Sequence, residues 1–382
     1  MSIFDGVLST PEMLTVFSER SVVDAMLRFE AALARSQARL GLIPASAAHS
    51  IAGSCKVELF DVAKIVRDGG RAGGLAQPLV HSLKEAVGLF NADAVPFVHF
   101  GCGEADLVDT AMALLAREAV ALVEADLVKA IQALLALSEG HATTPMFARM
   151  SAQPESVTSF GWVCTGWAAP LVRSRERLAQ AATRALQVQL GDDVAMQGQS
   201  SALRQQLADA LGLRDPGAAW HGERDEWIAL GCELGLMVGS LGRIAADIAL
   251  LGRNEIGELA ETGERTTALR ASTVALAAAQ RTPQRVAALL AGMPQAHAGA
   301  SGRWQAEQAE WPQLLMSAHG SARALAGTLP GLQVDAARMR SNIDRLRKAL
   351  PPGCGGHGLD PALAEPAGVQ TLARVLALQS LL

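Results

Sequence analysis

Apolar residues recur along the chain at helical spacing, and this pattern predicts a protein built from helices. Residues 10–12 (Thr-Pro-Glu) have the order of an N-cap, a first-turn proline and a first-turn acid, so a short helix is expected there. A second helix is expected to begin at about Ser21 and to end near Leu40, before a glycine and a proline. Residues 57–98 are broken by glycines and prolines, which indicates short helices and loops.

Three longer segments dominate the middle of the chain. Residues 104–138, 156–189 and 225–261 each predict a helix of about 35 residues, or ~50 Å. Their apolar positions occupy most of the circumference, so neighbouring helices or other subunits must cover several faces. The third segment has glycines that would permit close helix approach, namely Gly231, Gly235, Gly239 and Gly242. No strand is expected, because no alternating apolar and polar run is long enough.

Composition narrows the class of protein. The chain has 382 residues, of which 50% are hydrophobic and 19% charged, so wholesale disorder is excluded. A net charge of -5, with no tyrosine and 4% aromatic residues, argues against a nucleic-acid-binding surface. The apolar stretch 231–252 contains Glu233, Arg243 and Asp247, which makes it a poor membrane span.

The cysteines and the first residues bear on location. Five scattered cysteines without a CxxC pair predict reduced thiols rather than disulfides or a zinc site. The first residues lack a basic start and an apolar run, so no signal peptide is expected. A cytoplasmic protein is therefore expected. The chain has no P-loop, HExxH or GxSxG motif, so residues alone predict only an all-α oligomeric bundle.

Several stretches together resemble the fumarase/aspartase superfamily, and within it the 3-carboxy-cis,cis-muconate cycloisomerase branch. The resemblance extends over about residues 10–345 and is carried by these segments: VHFG at 98–101, DLVDT at 106–110, MFARMSAQP at 146–154, GWAAPL at 166–171, WHGERD at 220–225, GERTTALRAS at 263–272 and SGRWQAE at 301–307. The resemblance implies an all-α fold with a central long-helix bundle that forms a homotetramer. It also implies that each active site is assembled from three subunits.

The resemblance further implies a division of the chain and a reaction. An N-terminal helical domain is expected over 1–100, the bundle over 101–330 and a truncated C-terminal domain over 331–382. The reaction would be lactonisation of a muconate-type polycarboxylate in aromatic-acid breakdown, without a metal or an organic cofactor. The candidate residues share polar chemistry at the matched motifs. They are His221 and His99 as proton donors, Thr266 and Thr267 as hydrogen-bonding groups, and Arg149, Arg224, Arg265 and Asp106 as substrate-binding residues.

The polar motifs differ from the family pattern, and this keeps alternatives open. Residues 102–105 (Cys-Gly-Glu-Ala) replace a Thr-Ser pair and place Glu104 there, and about Ala152 replaces a histidine. The third motif has no lysine or asparagine beside its threonines. One alternative is a paralogue that has lost catalysis and acts in binding or regulation. Another is a lyase with a different substrate, such as an argininosuccinate- or adenylosuccinate-type enzyme.

Overall fold

A computed structural model describes residues 5–149, 156–191, 200–261, 271–294, 302–349 and 356–382. The first hundred residues form short helices: α1 (Asp5–Leu8), α2 (Pro11–Val16), α3 (Glu19–Arg39), α4 (Ala45–Ser54), α5 (Val62–Ala72) and α6 (Ala76–Gly88). The cap of α2 is as expected, since the Met13 N–H donates to the Thr10 hydroxyl over 3.2 Å. Helix α3 begins earlier than expected, because the Ser18 hydroxyl caps it by accepting from the Ser21 N–H.

Long helices form the middle of the molecule, as predicted. They are α7 (Glu104–Gly140), α8 (Phe160–Ala185), α10 (Asp225–Leu251), α11 (Ala271–Gly292) and α12 (Arg303–Thr328), with the shorter α9 (Ser200–Leu211) beside them. Helices α7, α10 and α12 run in one direction, and α8 and α11 run in the other. We call the end where α7 and α10 begin the first end of the bundle, and the end where both finish the second end.

Two of the long helices are shorter than the sequence pattern predicts. Helix α8 begins at Phe160 rather than Ser156, because residues 156–159 form a strand. Helix α10 ends at Leu251 rather than Glu261, where Gly252 caps it and the backbone turns away.

The expectation that no strand forms is wrong. Strand β1 (Pro145–Ala148) pairs antiparallel with β2 (Ser156–Ser159), and β3 (Leu259–Ala260) pairs antiparallel with β4 (Gln333–Val334). These strands have two to four residues, too few for a period-of-two pattern to stand out. The first pair closes the connection between α7 and α8 at the second end.

Glycines bring α10 against α11, as expected. A Cβ at Gly242 would lie 2.4 Å from the Cβ of Ala279, and one at Gly231 would lie 2.7 Å from Leu289 Cδ1. Gly239 differs, because a Cβ there would meet nothing within 4 Å. The glycines therefore serve two faces of α10, one packed within the chain and one open.

Helix α10 is long and apolar enough to cross a membrane by length and composition, with half of its most apolar window buried inside the protein. Its buried side packs against α8, α11 and α12, and the rings of Trp227 and Trp311 lie 4.3 Å apart between α10 and α12. This packing is that of a core helix in a soluble bundle, which agrees with the charges inside the segment.

The chain ends in α13 (Ala336–Ala349) and α14 (Ala364–Gln379). Helix α14 packs on the second end so closely that a Cβ at Gly368 would lie 2.7 Å from Thr143 Cγ2. The Gln379 amide also donates to Glu139 of α7 over 2.9 Å. The domain boundaries at residues 100 and 330 stay predictions.

A buried hydrogen-bond chain ties α2, α7 and α12 together. The Thr10 hydroxyl lies 2.8 Å from His319 Nδ1, and His319 Nε2 lies 3.0 Å from Asp126 Oδ2. Arg323 donates to the same Asp126 oxygen over 2.5 Å. Burial lowers the pKa of His319 by more than the nearby Asp126 raises it. His319 is therefore neutral in the folded protein near pH 7.

This lowered pKa predicts a specific acid sensitivity. As the pH falls through about 6.5, the unfolded chain protonates at His319 while the folded chain does not. Relative to a His319→Gln variant, the protein should therefore lose unfolding free energy at up to about 1.4 kcal/mol per pH unit below that pH. Urea unfolding at several pH values measures the difference.

The exposed His81 supplies the matched control. A His81→Gln variant should show the same change of unfolding free energy with pH as the unchanged protein. Other titrating groups, His99 among them, are common to both proteins and cancel in the comparison. Equal slopes for the unchanged protein and the His319→Gln variant would contradict the prediction.

Candidate functional site

The predicted site residues fall into two groups at opposite ends of the bundle. His99, Asp106 and His221 lie at the first end, where α7 and α10 begin, and Arg149 lies at the second end. Helix α7 separates them with 37 residues, or about 55 Å. A single chain therefore cannot bring both groups to one ligand.

Asp106 organises the first end. Its carboxylate is buried at the N-terminus of α7 and accepts from the backbone N–H of Gly103 and of Gly191, each over 2.9 Å. The Gln189 amide donates to it over 3.2 Å. These donors come from two segments of the same chain, the residue before α7 and the stretch that follows α8. These contacts are those of a carboxylate that holds a loop in place, and the predicted contact of Asp106 with substrate stays a prediction.

His221 lies beside this carboxylate. Its Nε2 is 3.6 Å from Asp106 Oδ1, and its side chain is 29% exposed. The imidazole therefore has both an acid partner and access to solvent. This separation is too long for a direct hydrogen bond, and the exposed part of the ring remains accessible to a ligand.

His99 lies in the loop before α7 in an unusual conformation. It is the one non-glycine residue with positive φ among those that the structure describes, at 58°. Its Nδ1 lies 2.6 Å from Oε1 of the buried Glu30, and the Gln37 amide holds the next residue, Phe100, by donating to its carbonyl over 2.7 Å. Strained backbone held by neighbouring side chains is typical of functional loops.

The partner of His99 also changes its acidity. Burial alone would lower the pKa of His99, but the hydrogen bond and the charge of Glu30 outweigh it, and the pKa is raised. His99 therefore carries a proton over a larger part of the neutral range than a free imidazole does. This is the state that a proton donor needs.

Arg224, which the sequence predicts to bind substrate, lies between two acidic side chains inside the protein. Its guanidinium is buried, donates to Asp109 Oδ2 over 2.8 Å, and pairs with Glu307 through two nitrogens. It also lies 4.4 Å above the ring of Trp220. Two carboxylates neutralise this cation, which favours a structural role, and the predicted binding of substrate stays a prediction.

Arg149 reaches the second end from the end of β1. It donates to Glu258 Oε1 over 2.7 Å, and the Asn342 amide donates to the same oxygen over 2.8 Å. The Glu258 side chain is completely buried, whereas Arg149 is 25% exposed. Arg149 therefore combines an anchored side with an accessible side.

A cavity of about 690 Å³ opens beside Arg149. Its walls come from β1, β2, the first turns of α8, the last turns of α10, and α14. Aromatic rings of Phe147, Trp162 and Trp167 line it, together with Arg149 and two further arginines. We call it the Arg149 cavity. Its volume is in the range of small-molecule pockets.

Arg265, Thr266 and Thr267 lie outside the residues that the structure describes, so their predicted roles stay predictions. Among the residues that it does describe, no group of three histidine, cysteine or acidic side chains could hold a metal ion.

Sequence reasoning missed residues at both ends. Glu30 fixes His99, and its signal is an acid inside the apolar stripe of α3. Arg243 and Asp247 line the Arg149 cavity, and their signal is a pair of charges four residues apart in an apolar helix. Arg374 lines it from α14 and had no signal, because only folding brings that helix to the second end.

The protein is an all-α bundle of long helices. Polar clusters lie at both ends of the bundle, and an arginine-lined cavity lies at the second end. The model of a family described as lyase matches residues 7–267, and the chain belongs to that family. The resemblance to the fumarase/aspartase superfamily is thereby confirmed.

Particular members are similar over most of the chain. The 3-carboxy-cis,cis-muconate cycloisomerase of Pseudomonas aeruginosa is 36% identical over 355 residues, which cover 89% of this chain and 77% of that protein. The cycloisomerase of the same name from Bradyrhizobium diazoefficiens is also 36% identical, over 88% of this chain and 78% of its own. The crystal structure of the 3-carboxy-cis,cis-muconate lactonizing enzyme from Pseudomonas putida superposes with a TM-score of 0.91 at 30% identity, covering 99% of both chains.

Proposed function

We propose that this protein is a cycloisomerase that lactonises a muconate-type polycarboxylate in aromatic-acid degradation. The observation that carries the proposal is the similarity to cycloisomerases over nearly the whole chain, in both sequence and fold. The Arg149 cavity supports it, because guanidinium groups bind carboxylates through paired hydrogen bonds.

The reaction needs few groups from the protein. One substrate carboxylate oxygen forms a C–O bond to a carbon of the conjugated diene, and the neighbouring carbon takes one proton. The product has the same mass as the substrate. Arginines hold the carboxylates and stabilise the enolate-like intermediate. His221 or His99 supplies the proton, and Arg265, Thr266 and Thr267 would complete the site.

The assay follows the ultraviolet absorbance of the conjugated diene when 3-carboxy-cis,cis-muconate is added. The rate at which the absorbance falls should be proportional to protein concentration. In D₂O the product should carry one solvent deuterium on carbon. His221→Gln and His99→Gln variants should separate the two donors, since loss of a general acid lowers kcat by roughly 100-fold or more. The exposed His49 supplies the control, because a His49→Gln variant should leave kcat unchanged.

Each alternative outcome has a clear reading. No loss of absorbance at high protein concentration would overturn the cycloisomerase assignment and favour a binding or regulatory role. Products of lower mass than the substrate would indicate a lyase instead. Unchanged kcat in both histidine variants would remove both from the catalytic residues.

We propose further that the active protein is a homotetramer. The two groups of site residues lie about 55 Å apart along α7, so a complete site needs residues from more than one copy. The open face of α10 supports assembly, because it leaves Leu236, Gly239 and Leu250 accessible on an apolar core helix. A groove of about 360 Å³ runs along this face between α8 and α10.

A charged residue on that face should separate the copies. Leu236 is 56% exposed, and a Leu236→Glu variant would place a carboxylate in an apolar interface. We expect sedimentation to show smaller particles than the unchanged protein, while circular dichroism shows the same helical content.

Leu59 supplies the matched control for this experiment. It is 54% exposed on the N-terminal part of the chain, so a Leu59→Glu variant should keep the size of the unchanged protein. A single-chain particle in the unchanged protein, or unchanged size in the Leu236→Glu variant, would contradict the proposal.

A cytoplasmic location is proposed on the thiols. The described cysteines, Cys55, Cys102, Cys164 and Cys232, form no disulfide. Burial raises the pKa of the Cys164 thiol well above its ordinary value, so this thiol stays protonated and unreactive.

A further inference from the structure

Two arginines in the Arg149 cavity have no acidic partner among the residues that the structure describes. Arg243 of α10 and Arg374 of α14 make no hydrogen bond or ion pair with any residue that the structure describes, although both line the cavity. Asp247, one turn from Arg243, accepts instead from the indole N–H of Trp167 over 2.8 Å. Asp247 therefore has its own hydrogen-bond partner and forms no ion pair with Arg243 in the part of the chain that the structure describes.

Arg374 is held in place without losing its charge. Its guanidinium carbon lies 4.9 Å above the ring of Trp162, a cation–π contact that leaves the N–H groups free at the edges. The close contact of Gly368 with Thr143 fixes α14 on the second end of the bundle. The position of Arg374 thus follows from the packing of a helix far from the family motifs in sequence.

The cavity lining has a clear charge balance. Three arginines from three separate elements face one aspartate, and Glu258 already engages one nitrogen of Arg149. The walls between them are flat aromatic rings of Trp162, Trp167 and Phe147. Separated cations around apolar rings suit a planar conjugated molecule with several carboxylates better than a compact single anion.

We propose that Arg243 and Arg374 bind carboxylate groups of the substrate and set its specificity for polycarboxylates. Arg149 supplies a third cation from the same cavity. The inference rests on the proposed function only because it takes the class of substrate from it. Binding of a planar polycarboxylate can be measured without turnover. It gives α14 a direct part in the site.

The test is calorimetric binding of benzene-1,3,5-tricarboxylate, a planar tricarboxylate that has no diene to react. The full chain should bind it, and should bind benzoate and inorganic phosphate much more weakly. Arg243→Gln and Arg374→Gln variants should each bind it roughly 10- to 100-fold more weakly, because each loses a charge-assisted pair of hydrogen bonds. An Arg374→Lys variant should fall between, since lysine keeps the charge but not the planar fork.

Arg347 supplies the matched control, since it is an exposed arginine on α13 outside the cavity. An Arg347→Gln variant should bind the tricarboxylate like the unchanged protein. Thermal melting of all variants shows whether any loss comes from unfolding.

The outcomes separate this inference from the proposed function. If the unchanged protein does not bind the tricarboxylate, or if phosphate binds as tightly, the inference is overturned even when the diene assay succeeds. A variant that binds like the unchanged protein removes that arginine from the site. Binding that depends on both arginines, with no change in diene absorbance, upholds the inference and overturns the cycloisomerase function.

Discussion

Replacement of Arg224 by methionine is expected to lower the free energy of unfolding by about 3–5 kcal/mol. The guanidinium is buried between Asp109 and Glu307, and its removal leaves two buried carboxylates without a counter-charge. Its stacking on Trp220 would also be lost. Urea unfolding followed by circular dichroism measures the effect.

A second variant shows that charge imbalance is the cause. Combining Arg224→Met with Asp109→Asn and Glu307→Gln removes the unpaired charges, so most of the lost free energy should return. Arg347→Met, at an exposed position, should change the free energy by less than about 0.5 kcal/mol. A single Arg224→Met variant as stable as the unchanged protein would refute the structural role, and the arginine would again be a candidate for substrate binding.

Replacement of Asp106 by asparagine should lower kcat/KM for the proposed reaction by about 100-fold. The carboxylate accepts from Gly103, Gly191 and Gln189, and an amide presents an NH₂ group to some of these donors. The loop that carries residue 191 and the imidazole of His221 would then shift. Steady-state kinetics with 3-carboxy-cis,cis-muconate measures the loss.

A positioning role for Asp106 also predicts which kinetic constant changes in the Asp106→Asn variant. Because Asp106 would act through His221, the substitution should lower kcat more than it raises KM, and the pH profile of kcat should change. Asp93, in the short turn before His99, serves as the control, and Asp93→Asn should leave kcat unchanged. An effect confined to KM would show that Asp106 contacts the substrate directly.

The fold was largely predictable from the sequence because its signals are local. The cap at Thr10 and the uninterrupted apolar segments depend on residues close in sequence, and the structure confirms both. The boundaries were less predictable. Strand β2 replaces the first residues of the segment 156–189, which is predicted as helix, because pairing with the preceding strand β1 decides its conformation.

The site was only partly predictable. Motif resemblance led to His99, Asp106, His221 and Arg149, but it could not show which charges the folded chain neutralises. Arg224 and Arg149 look equivalent in sequence, yet one has two buried acidic partners and the other keeps an accessible side. Arg374 could not be predicted, because only the fold brings α14 to the cavity and places its guanidinium over Trp162. Pairing over long sequence distances therefore sets the electrostatics of this site.

The distance between the two ends of α7 has a consequence for mixtures of variants. If every pocket combines the first end of one copy with the second end of another, a chain damaged only at Asp106 and a chain damaged only at Arg149 carry complementary defects. Hybrid particles formed from the two would contain some pockets with both halves intact. Co-refolding the two inactive variants should then recover a fraction of the turnover of the unchanged protein, which neither variant shows alone.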